Sequence, residues 1–360
     1  MTANRNLKRR VRSRAAKTGE SYTTALRHVR AAHERIRPFR PDPMGEAMPE
    51  PKRVRLAVAQ TALNEDPADT EALRSAGQDV RRLMREARDA GAKVVQFPEG
   101  AICSPGKRIM SADGPARIGP ADWNRCAWDV LREELAAVAE LSGQLGLWTM
   151  LGSVHRLTAP NRPHNSLYVI SDRGRVANRY DERMLSNTKI SHMYAPGSAP
   201  LVFEAAGVRF GCLLGMEVHF PELFAEYERL DVDCVLFSST GAGSPGQEGG
   251  FALEARGHAA ANSYWVGYSV LGYQASAGQV EQAESAAPAE PAGVIGPSGQ
   301  WIARCPADGT PSLVIADIDD SAASVEVPVL RARPWRRTAR SGIYDPHFVS
   351  DPRSEDRSVF

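Results

Sequence analysis

Short apolar runs of strand character alternate along this chain with amphipathic helical stretches, which predicts an α/β fold built in layers. Several of the strand runs are separated only by tight turns, so some neighbours must be antiparallel hairpins and the sheets mixed. The chain has 360 residues, 42% of them hydrophobic and 24% charged, enough for a sizeable core and one or two domains.

The first strand is "VRLAVAQTAL", rich in strand-forming residues. "DPADTEALRSAGQDVRRLMREARDAGA" follows, with Leu73, Val80, Leu83, Met84 and Ala87 at helical spacing and Gly91 to close the helix. "KVVQFPEG" is the second strand, and "ADWNRCAWDVLREELAAVAELSGQLG" is helical again. "LWTMLGSVHRL" and "NSLYVISDRGRVANRY" read as a pair of strands with a loop between. "LVFEAAGVRFGCLLG" reads as a hairpin whose second strand is buried. "FPELFAEYERL" is a helix, "VDCVLFSST" a strand, and "FALEARGHAAANSYWVGYSVLGY" a helix running into a strand. "AGVIGPSGQWIARC" and "SLVIADID" form the last predicted hairpin, with a Gly turn. Between these elements, "QASAGQVEQAESAAPAEP" is acidic and low in complexity, as an exposed loop is.

The two ends differ from this body. Residues 1–40 hold 12 Lys+Arg against 2 Asp+Glu, leaving 32 basic and 41 acidic residues elsewhere, so a basic arm precedes an acidic body. Residues 1–36 read as two short helices broken at Thr18–Ser21, where Gly19 ends one and Ser21 caps the next. Residues 37–53 are a Pro-rich linker, and a chain beginning near Pro51 is expected to fold alone. Nucleic acid is a possible partner of residues 1–40, although no aromatic residues interleave the charges to stack on bases. Residues 54–345 form the main domain and 346–360 a tail. The basic, Pro-broken stretch "RARPWRRTARSGIYDPHF", residues 331–348, runs into that tail and is able to extend over a neighbouring subunit.

No run approaches the roughly 18 apolar residues of a membrane span. The N-terminus lacks the apolar segment of a secretory signal. Five scattered cysteines without CxxC spacing argue against zinc or redox work and for reduced thiols in the cytoplasm. No cofactor is expected.

Several motifs, in order, resemble the nitrilase superfamily of carbon–nitrogen hydrolases over about residues 53 to 345. They are "AVAQTAL", "FPEG", "HNSLYVISDRGRV", "RYDERMLSNTK", "YAPGSAPLVFEAAGVRFG", "MEVHFPEL" and "ARGHAAANSYWVGYSV". The resemblance implies an αββα sandwich of two mixed sheets with helices on both outer faces, and a homodimer of such subunits, with the helix starting at "FPELF" as an interface element. It also implies a catalytic trio: a cysteine that attacks an amide or nitrile carbon, a glutamate that works as base and then acid, and a lysine that stabilises the oxyanion with a backbone N–H.

This chain departs from that trio. Glu99 stands in the glutamate position. Glu182, in "YDER", stands in the lysine position, and Gly215, five residues before Phe220, stands in the cysteine position. Arg183 is expected to point away from Glu182, and Lys189 returns only if its loop is rearranged. Cys212 lies an odd number of residues from Gly215 and so on the opposite strand face. His155, Met216, Glu217 and His219 are the other candidate pocket residues. Glu99, Glu182, Glu217 and His155 could in principle gather around a metal, but nothing in their spacing demands it and none is expected. Glu99 beside Glu182 with no ammonium between them favours a cationic or hydrogen-bond-donating ligand. The reading adopted is a pseudoenzyme that binds a small molecule or partner. The alternatives are a divergent amidase using Glu99 without a cysteine, and a nucleic-acid-associated or regulatory protein acting through the basic arm.

Overall fold

The computed structural model describes residues 53–241, 250–272 and 290–319, together with Arg12 and Tyr22. The chain divides into two units, Met1–Glu50 and Pro51–Phe360. The predicted arm helices, the linker up to Arg53, almost all of the acidic loop and the C-terminal tail lie outside the described residues.

The strands are β1 (Arg53–Ala62), β2 (Val94–Gln96), β3 (Trp148–His155), β4 (His164–Ile170), β5 (Val176–Asp181), β6 (Val202–Ala205), β7 (Val208–Leu214), β8 (Cys234–Ser239), β9 (Trp265–Gly272), β10 (Gly293–Ile295), β11 (Trp301–Arg304) and β12 (Ser312–Asp319). The helices are α1 (Thr70–Asp89), α2 (Trp128–Leu145), α3 (Pro221–Arg229) and α4 (Gly250–Asn262). Local chemistry sets the helix ends. Asp69 caps α1 by accepting from the Glu71 and Ala72 amides, an interaction worth about 1 kcal/mol. Gly146 ends α2 in the left-handed conformation, and Pro221 opens α3 where no amide donor is needed.

One half of the structure orders its strands β5-β4-β3-β2-β1-β12, the other β6-β7-β8-β9-β10-β11. Both are mixed. β1, β2 and β3 run parallel through the crossovers of α1 and α2, and β7, β8 and β9 run parallel through α3 and α4. Antiparallel strands flank each parallel trio.

Two expectations need correction and one is sharpened. The halves are not two separate sheets, because Thr61 and Ala62 of β1 pair with Leu271 and Gly272 of β9 and join all the strands into one curled array. The stretch over 165–180, quoted as one run, is the hairpin β4–β5 that the motif's resemblance implies, turning at Gly174 with φ +72°. The final hairpin is β10–β11 alone, since β12 crosses back to pair with β1 along its length. Pairing with β1 buries Ala316 and Ile318, which a hairpin to the short, half-exposed β11 would not do.

Side chains alternate along β1 between two cores. Leu56 and Val58 face inward and pack with Leu213, Leu236 and Val266 of the other half, while Ala57 and Ala59 face α1 and α2. Helices therefore lie outside each half and an apolar layer lies between them. A buried amide ties the halves beneath the carboxyl ends of the parallel strands. Gln96 Nε2 donates to Phe237 O at 2.8 Å and Gly267 O at 3.1 Å, and Ser238 Oγ donates to Phe97 O at 2.9 Å.

Candidate active site

The carboxyl ends of β2, β7 and β8 converge on one cleft of about 920 Å³, where open α/β sheets commonly hold their ligands. The chain leaves β2 through Phe97-Pro98-Glu99. Gly152 of β3 permits this close passage, since any Cβ there would collide with Pro98 O and the Glu99 backbone. Glu99 is thereby buried at the cleft floor.

Glu182 follows the last residue of β5 and is also buried, on the other side of the same point. It does not itself line the cleft. Between the two carboxylates stands Lys189. Its Nζ donates to Glu99 Oε1 at 2.5 Å and to Glu182 Oε2 at 2.7 Å. Asn165 of β4 repeats the bridge, its Nδ2 donating to Glu99 Oε1 at 2.9 Å and Glu182 Oε2 at 2.5 Å. The expectation of a carboxylate pair without an ammonium is thus corrected, and with it the argument for a cationic ligand. The loop after β5 closes into a π-helical turn at Lys189–Met193, which swings Lys189 back over Glu182.

The remaining oxygens of the pair, Glu99 Oε2 and Glu182 Oε1, are buried and have no hydrogen-bond partner among the described residues. Both face Gly215. A Cβ built on Gly215 would lie 2.8 Å from Glu99 Oε2, 2.9 Å from Glu182 Oε1 and 3.1 Å from Lys189 Nζ. Gly215 also has φ +49°, a conformation that side chains disfavour. The ends of the three charged side chains converge on the glycine and would have to shift to admit a Cβ there.

Burial raises the Glu182 pKa to about 8, and the neighbouring Glu99 charge adds to this against the pull of Lys189. Burial disfavours the Lys189 ammonium, but Glu182 and Glu99 outweigh it, so its pKa is raised and it stays charged. One ammonium and one retained proton therefore share two buried carboxyl groups.

The other predicted pocket residues divide. Met216 and His219 line the cleft, and His219 Nδ1 lies 2.8 Å from Glu254 on α4. Glu217 and His155 do not. Glu217 is fully buried and accepts from the Leu214 amide at 2.8 Å, the Arg183 amide at 2.7 Å and the Tyr180 hydroxyl at 2.8 Å. It clamps the turn after β7 to the segment after β5, which holds Glu182 against Gly215. His155 is drawn off into β3–β5, where Tyr168 Oη lies 2.8 Å from its Nδ1 and Arg179 Nη1 2.9 Å from its Nε2. Its partner Arg179 is in turn paired with Asp181. Glu99, Glu182, Glu217 and His155 do not assemble as metal ligands, and no such group of three occurs among the described residues. Arg183 turns away from the cleft to Tyr180 Oη and Glu226.

Cys212 is buried in the apolar core and does not line the cleft. Cys103, which sequence reasoning passed over, does line it. Burial raises both thiol pKa values, so neither is a thiolate. Sequence reasoning also missed Asn165, Lys107 and Tyr194. Asn165 carried a weak signal, in the motif "HNSLYVISDRGRV" quoted for the family resemblance. Lys107 and Tyr194 both line the cleft; Tyr194 opens the quoted motif "YAPGSAPLVFEAAGVRFG", while Lys107 lies in an irregular segment where spacing carries no signal.

A curled mixed sheet, outer helices and a Glu–Lys centre at the parallel strand ends define the fold class of the carbon–nitrogen hydrolases. Residues 55–326 match the carbon–nitrogen hydrolase family, and the chain belongs to it. A protein of Mycobacterium tuberculosis H37Rv named only as a hydrolase is 28% identical over 294 residues, 77% of this chain and 95% of the relative. The Nesterenkonia AN1 amidase of the nitrilase superfamily has a similar structure, with TM-score 0.58 and 16% identity over 78% of this chain and 95% of that one. The Caenorhabditis elegans NitFhit protein gives TM-score 0.61 and 18% identity over 76% of this chain, which spans 62% of its length. The chain spans 47% of the glutamine-dependent NAD+ synthetase of Acinetobacter baumannii, at TM-score 0.58 and 18% identity. No helix among the described residues is long and apolar enough to cross a membrane.

Proposed function

We propose that this protein binds a small molecule in the Glu99–Lys189 cleft and carries out no thiol chemistry: a carbon–nitrogen hydrolase homologue working as a pseudoenzyme. The observation that carries this reading is the closure of Glu99, Glu182 and Lys189 over Gly215. A mutant of the Nesterenkonia sp. AN1 amidase carries the acetamide moiety of fluoroacetamide covalently added at its active-site cysteine. Here glycine stands at the position read as the cysteine's, the ends of three charged side chains converge on it, and the cleft's Cys103 is held as a thiol. Removal of a covalent nucleophile costs many orders of magnitude in rate. Lys189 supplies the ammonium that the family motif would carry at position 182, so the cleft keeps its polar floor while lacking its nucleophile.

Intact-protein mass spectrometry after incubation with fluoroacetamide, with ammonia release from short amides measured in parallel, tests the reading. No adduct and no release above background are expected. A cysteine adduct, or turnover lost in Cys103→Ala or Cys212→Ala, overturns it. Turnover lost in Glu99→Gln but kept in both cysteine variants would instead establish water attack with Glu99 as base. Gly215→Cys is expected to restore no activity, because φ +49° strains any side chain at that position and both carboxylate ends must shift to admit its Cβ.

A further inference from the structure

A second cavity, of about 420 Å³, lies beside α2 and shares no lining residue with the strand-end cleft. One of its walls is a single helix face. Trp128, Leu131, Arg132 and Leu135 follow the spacing that sets side chains above one another on a helix. Tyr168 of β4 and the segment Arg156–Ala159, just after β3, close the other side. Leu131, Leu135 and Tyr168 are buried. The polar atoms of the two aromatic residues are already engaged: Trp128 Nε1 donates to Trp123 O at 3.0 Å, and Tyr168 Oη lies 2.8 Å from His155 Nδ1. The walls therefore present mainly carbon, in a volume that suits a small organic ligand.

The charge of this cavity is one-sided. Arg132 and Arg156 line it, and among the described residues no acidic side chain does. The Arg156 guanidinium sits over the Trp128 ring, 5.3 Å from its centroid, and has no hydrogen-bond or ion-pair partner among the described residues. Arg55, Arg74, Arg82 and Arg117 are exposed as well, yet each pairs with a carboxylate. The ring contact holds Arg156 in place without neutralising it. Arg132 Nη2 donates to Asp129 Oδ1 at 2.7 Å, which leaves further N–H donors on that guanidinium. An apolar cavity with an uncompensated guanidinium matches a ligand with an apolar body and an anionic head. A carboxylate suits the planar fork of Arg156, and Arg132 adds charge of the same sign.

We propose that this cavity is a second ligand site, that it takes a small monocarboxylate with an aryl or branched alkyl body, and that Arg156 holds the carboxylate. The site is separate from the Glu99–Lys189 cleft and does not depend on what that cleft binds.

Isothermal titration calorimetry on the full chain with 3-phenylpropionate and 4-methylpentanoate tests it, with 3-phenylpropan-1-ol and 3-phenylpropylamine as uncharged and cationic controls. At least one carboxylate should bind at least about tenfold tighter than the alcohol, and the amine should bind weakest. Arg156→Gln should remove the advantage over the alcohol, and Arg156→Lys should retain part of it. Thr158→Trp, at an exposed lining position, should weaken carboxylate and alcohol alike by filling the cavity. Lys107→Met, in the strand-end cleft, should leave carboxylate binding unchanged. The proposal is overturned if no carboxylate outbinds the alcohol, or if Arg156→Gln keeps the preference. It is overturned equally if Lys107→Met abolishes binding, which would place the carboxylate in the other cleft. Failure of the carboxylates to bind, with a change of oligomeric state in Arg156→Glu on sizing, would overturn it by making the cavity a contact between copies of this chain.

Discussion

Two buried carboxylate centres flank Gly215, and they are built to opposite ends. Glu217 is closed, with both oxygens accepting from the backbone or from Tyr180. Burial still raises its pKa, but Arg183 and these donors oppose the rise. The Glu99–Glu182 pair is open, with two of its four oxygens unpartnered and aimed at one point. A buried polar group that is fully satisfied fixes a structure, and one that is left unsatisfied costs stability. The contrast supports a positioning role for Glu217 and, under the function proposed above, a binding role for Glu99 at the cleft floor.

The largest effect that sharpens this contrast is expected from Glu217→Ala. It leaves the Leu214 and Arg183 amides and the Tyr180 hydroxyl without their acceptor, at a cost of roughly 3–5 kcal/mol in urea unfolding. Glu99→Gln, by comparison, should change stability by under about 1 kcal/mol, since the amide oxygen can still accept from Lys189 and Asn165. If Glu99→Gln proves the costlier of the two, the assignment is reversed.

Lys189→Met comes next, at about 2–3 kcal/mol, because it leaves two carboxyl groups buried without their cation. The loss should be greater at pH 8 than at pH 5.5, where Glu182 takes up a proton and needs the ammonium less. Chemical unfolding at the two pH values measures the difference.

The smallest effect is a slope. Glu182 holds its proton more tightly folded than unfolded, so it favours folding fully below the ordinary value of 4.5, and that contribution is lost as pH rises through about 8. The melting temperature of wild type should therefore fall relative to Glu182→Gln between pH 5 and pH 8. Differential scanning fluorimetry across that window reads it, and parallel curves for the two proteins would show that Glu182 holds no extra proton.

The legible part of the site was the part carried by short, local patterns. Phe-Pro-Glu at a strand end marked Glu99, and a fixed count back from Phe220 marked Gly215. Strand parity assigned Cys212 to the face away from the cleft, and it lies in the core. The alternation of helices and strands was legible for the same reason, because apolar periodicity is set by neighbours three or four residues apart, or two.

The sequence by itself thus determined the elements, the layered class and the residues that a tight turn forces together. Tertiary structure alone decided that Lys189 fills the gap between Glu99 and Glu182, that β12 returns to β1, and that Glu217 and His155 serve the scaffold. Each of these depends on contacts between segments far apart in the chain or on an irregular turn, where side-chain direction follows no period. Lys189 stands seven residues beyond Glu182, and only the π-helical turn, pinned where Tyr194 N donates to Lys189 O and Ala121 N to His192 O, aims its ammonium at two carboxylates brought in by separate strands.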